Sequence, residues 1–244
     1  MQAVLVRVGI DSSKESGSWN APVNAAGEFA YVPILEDEKK RIRPEYEQYA
    51  RMHYEQLKDL CEKLGGQIPH RLCGRCAHLD PDFEHLTYGD EHNKGKRLWN
   101  LNLGEGDILA FYAGLRPSDA GPGGLIYALI GLYVLAGKPK RAEDILEEDW
   151  HKNAHTRRYS EIDDIVFFGE EGVSGRLERC IPIGGWRDGA YRITRELQAE
   201  WGGVFVTDGW IQRSGMLPTL RQPERFLEWF EDQKKNIGLR ATNN

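Results

Sequence analysis

The sequence predicts an α+β fold, a mixed and barrel-like sheet with flanking helices. Three observations predict it. Short runs of branched and aromatic residues, bounded by Gly, Asn and Asp, recur along the chain as strands do. Two stretches, one early and one near the end, carry apolar residues at helical spacing. No internal repeat, low-complexity tract or shift in composition marks a linker, so residues 1–244 are read as one domain.

In chain order, Ala3-Val4-Leu5-Val6-Arg7-Val8 is a buried strand stopped by Gly9, and the polar residues 10–24 form a loop. Residues 29–35 suit a second strand, placed at an edge because Pro33 cannot donate to a ladder. The clearest helix starts at Pro44 and stops at Gly65-Gly66. Its buried face is Tyr46, Tyr49, His53, Leu57, Leu60, Cys61 and Leu64. Residues 67–88, crowded with His, Pro and Cys, are irregular. Residues 107–112 and 125–135 are two strands with a glycine-rich hairpin loop, 120–124, between them. Residues 141–150 suit a short helix whose acidic end opposes the macrodipole. Residues 164–168, 179–183 and 203–206 are further strands. Thr194 caps a helix through Leu197 and Trp201 that Gly202-Gly203 ends. A last helix begins near Pro223 with Phe226, Leu227 and Phe230 on one face.

Composition excludes several classes. With 32 basic and 38 acidic residues the net charge is -6, so a uniformly basic nucleic-acid binder is ruled out and any such contact needs a local patch. Mean hydropathy is −0.58, and no apolar run approaches the roughly 20 residues that cross a bilayer. No membrane contact is expected. The apolar stretch at the N-terminus is too short for a signal peptide, so the expected location is cytoplasmic. Four cysteines are too few for a disulfide scaffold.

Three segments belong together: Val8-Gly9-Ile10-Asp11-Ser12-Ser13, then Ala77-His78-Leu79-Asp80-Pro81-Asp82, then the strand from Gly106-Asp107 to Arg116 followed by Ala128-Leu129-Ile130-Gly131-Leu132-Tyr133-Val134. Their order resembles the third nucleotide-modification-associated domain family of phage and bacterial DNA-modification neighbourhoods. The resemblance implies a protein that acts on or recognises a nucleobase or nucleotide, with modified DNA as partner. The Gly-Asp hairpin is also similar to the central hairpin of PUA-like readers of modified bases, which implies a PUA-like barrel and a non-catalytic alternative. In that alternative Tyr112 and a tryptophan cage the base. A small-molecule enzyme reusing the same pocket is the third reading. No motif specifies a cofactor, and no Gly-x-Ser-x-Gly, Rossmann or His-Glu-x-x-His pattern is present.

Asp11, Ser12 and Ser13 leave a strand end, where side chains reach a ligand, though such residues also simply bond turn amides. His78, Asp80 and Asp82 are the densest acid–base cluster and the candidate catalytic set together with Asp11; alternatively Asp80 caps a helix whose first residue is Pro81. His155, Arg157 and Arg158 lie in a basic run read as phosphate-binding, with a solvated loop as the plain alternative. Clusters at Lys94, Lys96 and Arg97 with His92, and at Lys138, Lys140 and Arg141, add basic charge. The turn at Trp210, Gln212 and Arg213 offers a ring, a base-edge reader and a phosphate fork. Cys73 and Cys76 are half of a zinc site without a second pair, so no metal is expected. Asp11, Ser12, His78, Asp80, Tyr112 and Arg116 are expected to converge on one cleft at the end of two neighbouring strands.

Overall fold

The computed structural model describes residues 1–13, 18–46, 52–119, 124–159, 161–213 and 215–244. The strands are β1 (Ala3–Arg7), β2 (Pro22–Val23), β3 (Ile34–Leu35), β4 (Met52–His53), β5 (Cys76–His78), β6 (Thr87–Asp90) and β7 (Ile108–Pro117). They continue with β8 (Ile126–Val134), β9 (Lys140–Arg141), β10 (Ile165–Phe168), β11 (Gly175–Arg187), β12 (Ala190–Ile193) and β13 (Leu239–Arg240). The helices are α1 (Lys58–Lys63), α2 (His92–Asn100), α3 (Ala154–Arg157), α4 (Arg195–Glu200) and α5 (Pro223–Ile237).

The fold is α+β. Its main sheet is curled into a half-barrel in the order β1-β7-β8-β11-β12, with β2 added to β7 and β13 to β11. It is mixed as expected: β1 and β2 run parallel to β7, and the other pairs are antiparallel. Side chains alternate between two cores. Val4, Val6, Leu109, Phe111, Ala128 and Ile130 enter one, whereas Leu5, Ile108, Ala110, Tyr112, Tyr127 and Leu129 enter the other. Burial on both faces explains why these strands read as unbroken apolar runs. Two small sheets, β6-β10-β9 and β3-β5-β4, flank the main one.

The motif glycines and aspartates knit these layers. Gly106 takes φ 76° and Asp107 accepts from the Gln2 and Gly104 amides, tying the start of β7 to the first residues of the chain. A Cβ on Gly131 would stand 2.4 Å from the Phe83 ring, so the bare backbone of β8 is what lets the 80s loop lie on the sheet. Tyr133 completes that contact by donating to the Asp82 carbonyl at 2.9 Å.

Several elements differ from expectation. The helix expected from Pro44 to Leu64 is a 3₁₀ turn at Pro44–Tyr46, strand β4, a 3₁₀ turn at Tyr54–Leu57 and the short α1; residues 47–51 lie outside the described residues. Pairing of Met52 and His53 with Ala77 and Cys76 in extended conformation overrides the helical spacing there. The strand expected over 29–35 shrinks to β3, and 203–206 keeps one bridge, Val204 to Leu220. Residues 142–152 form 3₁₀ turns rather than one helix. Asp80-Pro81-Asp82 starts no helix: Asp82 accepts from the Glu84 and His85 amides and closes a turn back to Thr87. The loop 120–123 lies outside the described residues. Among the described residues, no helix is long and apolar enough to cross a membrane.

Candidate functional site

The ends of β1, β5 and β6, the start of α2 and the segment around Trp210–Met216 enclose a cleft of about 1000 Å³. Its floor is His78, Asp80 and His155, each under a tenth exposed. His78 ends β5 and Asp80 follows it. His155 arrives on α3, whose N-cap Asn153 accepts from the His155 amide at 2.9 Å. The three meet because β6 passes close by with no side chain at Gly89. A Cβ there would stand 2.3 Å from the His155 ring.

Each floor residue is held from behind. His78 Nδ1 lies 2.9 Å from Glu36 Oε2, and His155 Nδ1 lies 3.1 Å from Asp164 Oδ1. Asp80 accepts from the Gly89 amide at 2.8 Å and from Asn153 Nδ2 at 3.0 Å. The two Nε2 atoms face each other at 3.3 Å, and Asp80 Oδ2 is 3.7 Å from His155 Nε2. Behind them Arg158 donates to Glu91 at 2.7 Å and Asp164 at 3.2 Å, and Lys40 pairs with Glu91 at 3.2 Å.

Burial dominates the electrostatics. It pushes the Asp80 carboxyl up to about 7, against the charge of His78 and the bonds from Gly89 and Asn153. Burial also opposes ionisation of Glu36, but the charge and hydrogen bond of His78, with Arg158, carry it down to about 2. The same balance, led by the bond to His155, holds Asp164 well below the usual carboxylate range. For His78 burial favours the neutral ring, yet Glu36 wins and the net shift is upward. For His155 burial, Arg158 and His78 prevail over Asp164, and the shift is downward.

The mouth is cationic. Arg97 and Arg213 are exposed and have no carboxylate partner among the described residues. Arg97 donates to the Gly215 carbonyl at 2.8 Å, and Arg213 lies 5.8 Å from the centre of the half-buried Trp210 ring. Lys94 and Arg7 are engaged already, Lys94 with Asp90 at 2.9 Å and Arg7 with Asp11 at 2.9 Å.

Of the residues singled out in the sequence, Asp11, Ser13, His78, Asp80 and His155 line the cleft, as do His92, Lys94, Arg97, Trp210, Gln212 and Arg213. Ser12 instead donates to Asn20 at 2.6 Å. Tyr112 pairs in register with Arg7 but its ring enters the second core, where its hydroxyl donates to the Ile211 carbonyl at 3.1 Å, so it offers no stacking surface. The expected neighbouring strands are β1 and β7, parallel as required, but β7 runs on. Arg116 sits four residues past Tyr112, about 13 Å along the strand, against Pro22 of β2 and outside the cleft lining. Asp82 is fully buried and pairs with Arg157 at 2.6 Å and His85 at 3.0 Å. Burial opposes its charge, but His85, Arg157 and Asn243 hold its carboxyl down at about 2. Arg157 and Arg158, expected to reach phosphate, are 4% and 2% exposed and spent on carboxylates. The cysteines are all free. Cys76 Sγ lies 4.0 Å from His53 Nδ1, away from the cleft lining.

Sequence reasoning passed over Glu36, Tyr88, Glu91 and Asp164. No local spacing ties them to the motifs, since Glu36 lies 42 residues from His78. Along the sequence Arg7 belongs only to the first strand, whereas in the structure it lines the cleft.

Residues 2–200 match the family described as nucleotide modification associated domain 3. The chain belongs to this family. A comparison with solved structures finds the N-terminal domain of Thermococcus gammatolerans McrB bound to m5C DNA, at 14% identity and TM-score 0.35 over 96% of this chain and 98% of that one. A likeness that loose carries no argument for this protein. Among curated proteins nothing matches. For this member of the nucleotide modification associated domain 3 family, the segments matched include every floor residue, from His78 to His155.

Proposed function

We propose that the cleft binds a nucleotide, with its phosphate at Arg97 and Arg213 and its base turned toward His78, Asp80 and His155. One observation carries this: two exposed guanidiniums that pair with no carboxylate among the described residues stand at the mouth of a space of about 1000 Å³ floored by buried imidazoles and a carboxylate. Guanidinium forks suit phosphate oxygens. The space is at the large end of small-molecule sites, roughly 300–1,000 Å³, which accommodates base, sugar and phosphate together. Trp210 at the mouth offers a ring, and Gln212 beside it an amide for a base edge. Membership of the family supports a base-modified nucleotide, free or turned out of DNA, as the occupant. The floor, where the polar groups converge, is where chemistry on the base would take place.

Calorimetric titration of the full chain with mononucleotides, and with short single strands of the same plain and base-modified residues, tests this. Binding of the mononucleotides identifies a free nucleotide as sufficient; binding of the strands alone identifies DNA as the source. In either case Arg97→Ala with Arg213→Ala is expected to weaken binding by about tenfold, roughly 1.4 kcal/mol, while leaving the melting temperature unchanged. If nothing binds at millimolar concentration, or the double variant binds as tightly as the parent, the proposal fails.

A further inference from the structure

We infer that His78, Asp80 and His155 bind one divalent first-row metal ion at the floor of the cleft, with its remaining coordination positions open to the occupant. This stands on the side chains of the floor and not on what the cleft takes up, so metal alone is the probe and the two proposals fail separately.

The distances are the first ground. Metal–imidazole bonds of about 2.0–2.1 Å at tetrahedral angles place two ligand nitrogens about 3.3–3.4 Å apart. The two Nε2 atoms are 3.3 Å apart, and the ligand atoms of His78, Asp80 and His155 all lie within 4.8 Å of one another. Asp80 Oδ2 is 3.7 Å from His155 Nε2 and lies within the same 4.8 Å bound of the His78 ligand nitrogen, so the carboxylate has to swing toward His78 to share the ion.

Outer partners are the second ground. Metal-binding histidines hand their other ring N–H to a carboxylate or carbonyl, which fixes tautomer and orientation. Both rings do so here, His78 to Glu36 and His155 to Asp164. Arg158 Nη2 also stands 2.9 Å from His155 Nδ1, but it has Asp164 and Glu91 as acceptors, and the carboxylate of Asp164 takes the Nδ1 proton. With Nδ1 protonated on each ring, the two Nε2 lone pairs point at each other. A cation between them, a proton or a metal ion, makes that arrangement favourable. The rings stand nearly perpendicular, at 85°, so they do not stack face to face.

Asp80 is the third ground. Its hydrogen bonds come from neutral donors, Gly89 and Asn153, and no lysine or arginine pairs with it among the described residues. Two imidazoles and one carboxylate suit Zn²⁺, Fe²⁺, Co²⁺ or Ni²⁺, whereas Ca²⁺ and Mg²⁺ prefer oxygen ligands throughout. No cysteine joins a candidate metal group among the described residues, so this differs from the zinc half-site sought in the sequence at Cys73 and Cys76.

The test loads the full, metal-stripped chain with Zn²⁺, Co²⁺ or Ni²⁺ and measures stoichiometry by elemental analysis and affinity by calorimetry. One ion per chain is expected. His155→Gln, and separately Asp164→Asn, should weaken it by about 10–100-fold, as loss of a ligand or an outer partner does, whereas Cys73→Ser with Cys76→Ser should leave it unchanged. Should the buried variants fail to fold, Co²⁺ on the unaltered protein keeps the question open to measurement. Two exchangeable imidazole N–H resonances, those of His78 and His155, should shift paramagnetically in the proton spectrum. Absence of binding, absence of those two shifted resonances, or metal that follows the cysteines would each overturn the site.

Discussion

Gly89 has a role that no side chain can fill. Its amide binds Asp80, and the space where its Cβ would be is taken by the His155 ring at 2.3 Å and Asn153 Oδ1 at 2.8 Å. Both neighbours are bonded on their far sides, so neither has room to retreat. Gly89→Ala is therefore expected to displace His155 and weaken occupant binding by about tenfold, with an overpacking cost of about 1–3 kcal/mol in urea denaturation. Unchanged binding would show that His155 has slack. Arg157 gives a different outcome. Removing it leaves Asp82 charged, buried and short of its guanidinium, so Arg157→Ala should cost about 3–5 kcal/mol of stability rather than change the salt dependence of binding. Read along the chain, Arg157 and Arg158 cannot be told from a solvated basic run, because Asp82 and Glu91 lie 75 and 67 residues away. His78 and Asp80, two residues apart, stand out in the sequence as an acid–base pair, but the carboxylate that holds the His78 ring is Glu36, which that spacing does not reach. The cysteines divide as well. Burial pushes the thiols of Cys61 and Cys180 up to about 12, whereas Cys73 and Cys76 are half-buried. A thiol-titrating reagent at neutral pH should count two in the folded protein and four in denaturant; a third fast thiol in the folded state would contradict the buried pair.

At the scale of elements, the strands were most legible where packing on both faces left no polar position. β1 and β8 were each located to within a residue for that reason, and so was the start of β7, which runs on past its expected end at Tyr112 to Pro117. Local capping chemistry was equally readable: Thr194 accepts from the Leu197 amide at 3.3 Å and starts α4. Thr194→Ala should cost about 1 kcal/mol, with occupant affinity unchanged because α4 contributes nothing to the cleft lining. A loss of binding would couple α4 to the cleft in a way its position does not suggest. The failure over residues 44–64 has the opposite cause. The helical spacing of Tyr46, His53 and Leu57 marks no single buried face, since Leu57 is buried but Tyr46 and His53 are half-buried, and β5 recruits Met52 and His53 into a ladder that no local signal announces. α2 escaped notice because His92 to Asn100 is polar nearly throughout, with Gly95 and Leu98 its buried residues.

Across the whole molecule, a net charge of -6 coexists with a cationic mouth, and several basic side chains outside it are already paired. Lys94 meets Asp90, Lys96 meets Asp163, and Arg141 and Lys140 lie over Trp99 and Phe168. Of the basic clusters in the sequence, Arg97 keeps an exposed guanidinium with no carboxylate partner among the described residues, and Arg213 joins it at the mouth. Affinity for a short single strand should fall with salt at a logarithmic slope of about −1.4, the value for two neutralised phosphates. A slope near zero, or one several times steeper, would show that other charges take part. The three separated motifs converge only through long-range contacts, and Asp82 is the extreme case. It is held by Arg157 and by Asn243, 75 and 161 residues further on, and Asn243 Oδ1 also accepts from the Phe83 amide. Closing such long loops comes late, since their entropy is lost before the contacts return anything. In a chain made from its N-terminus, the bond from Asn243 to Asp82 can form only once residue 243 has left the ribosome, 161 residues after Asp82 itself.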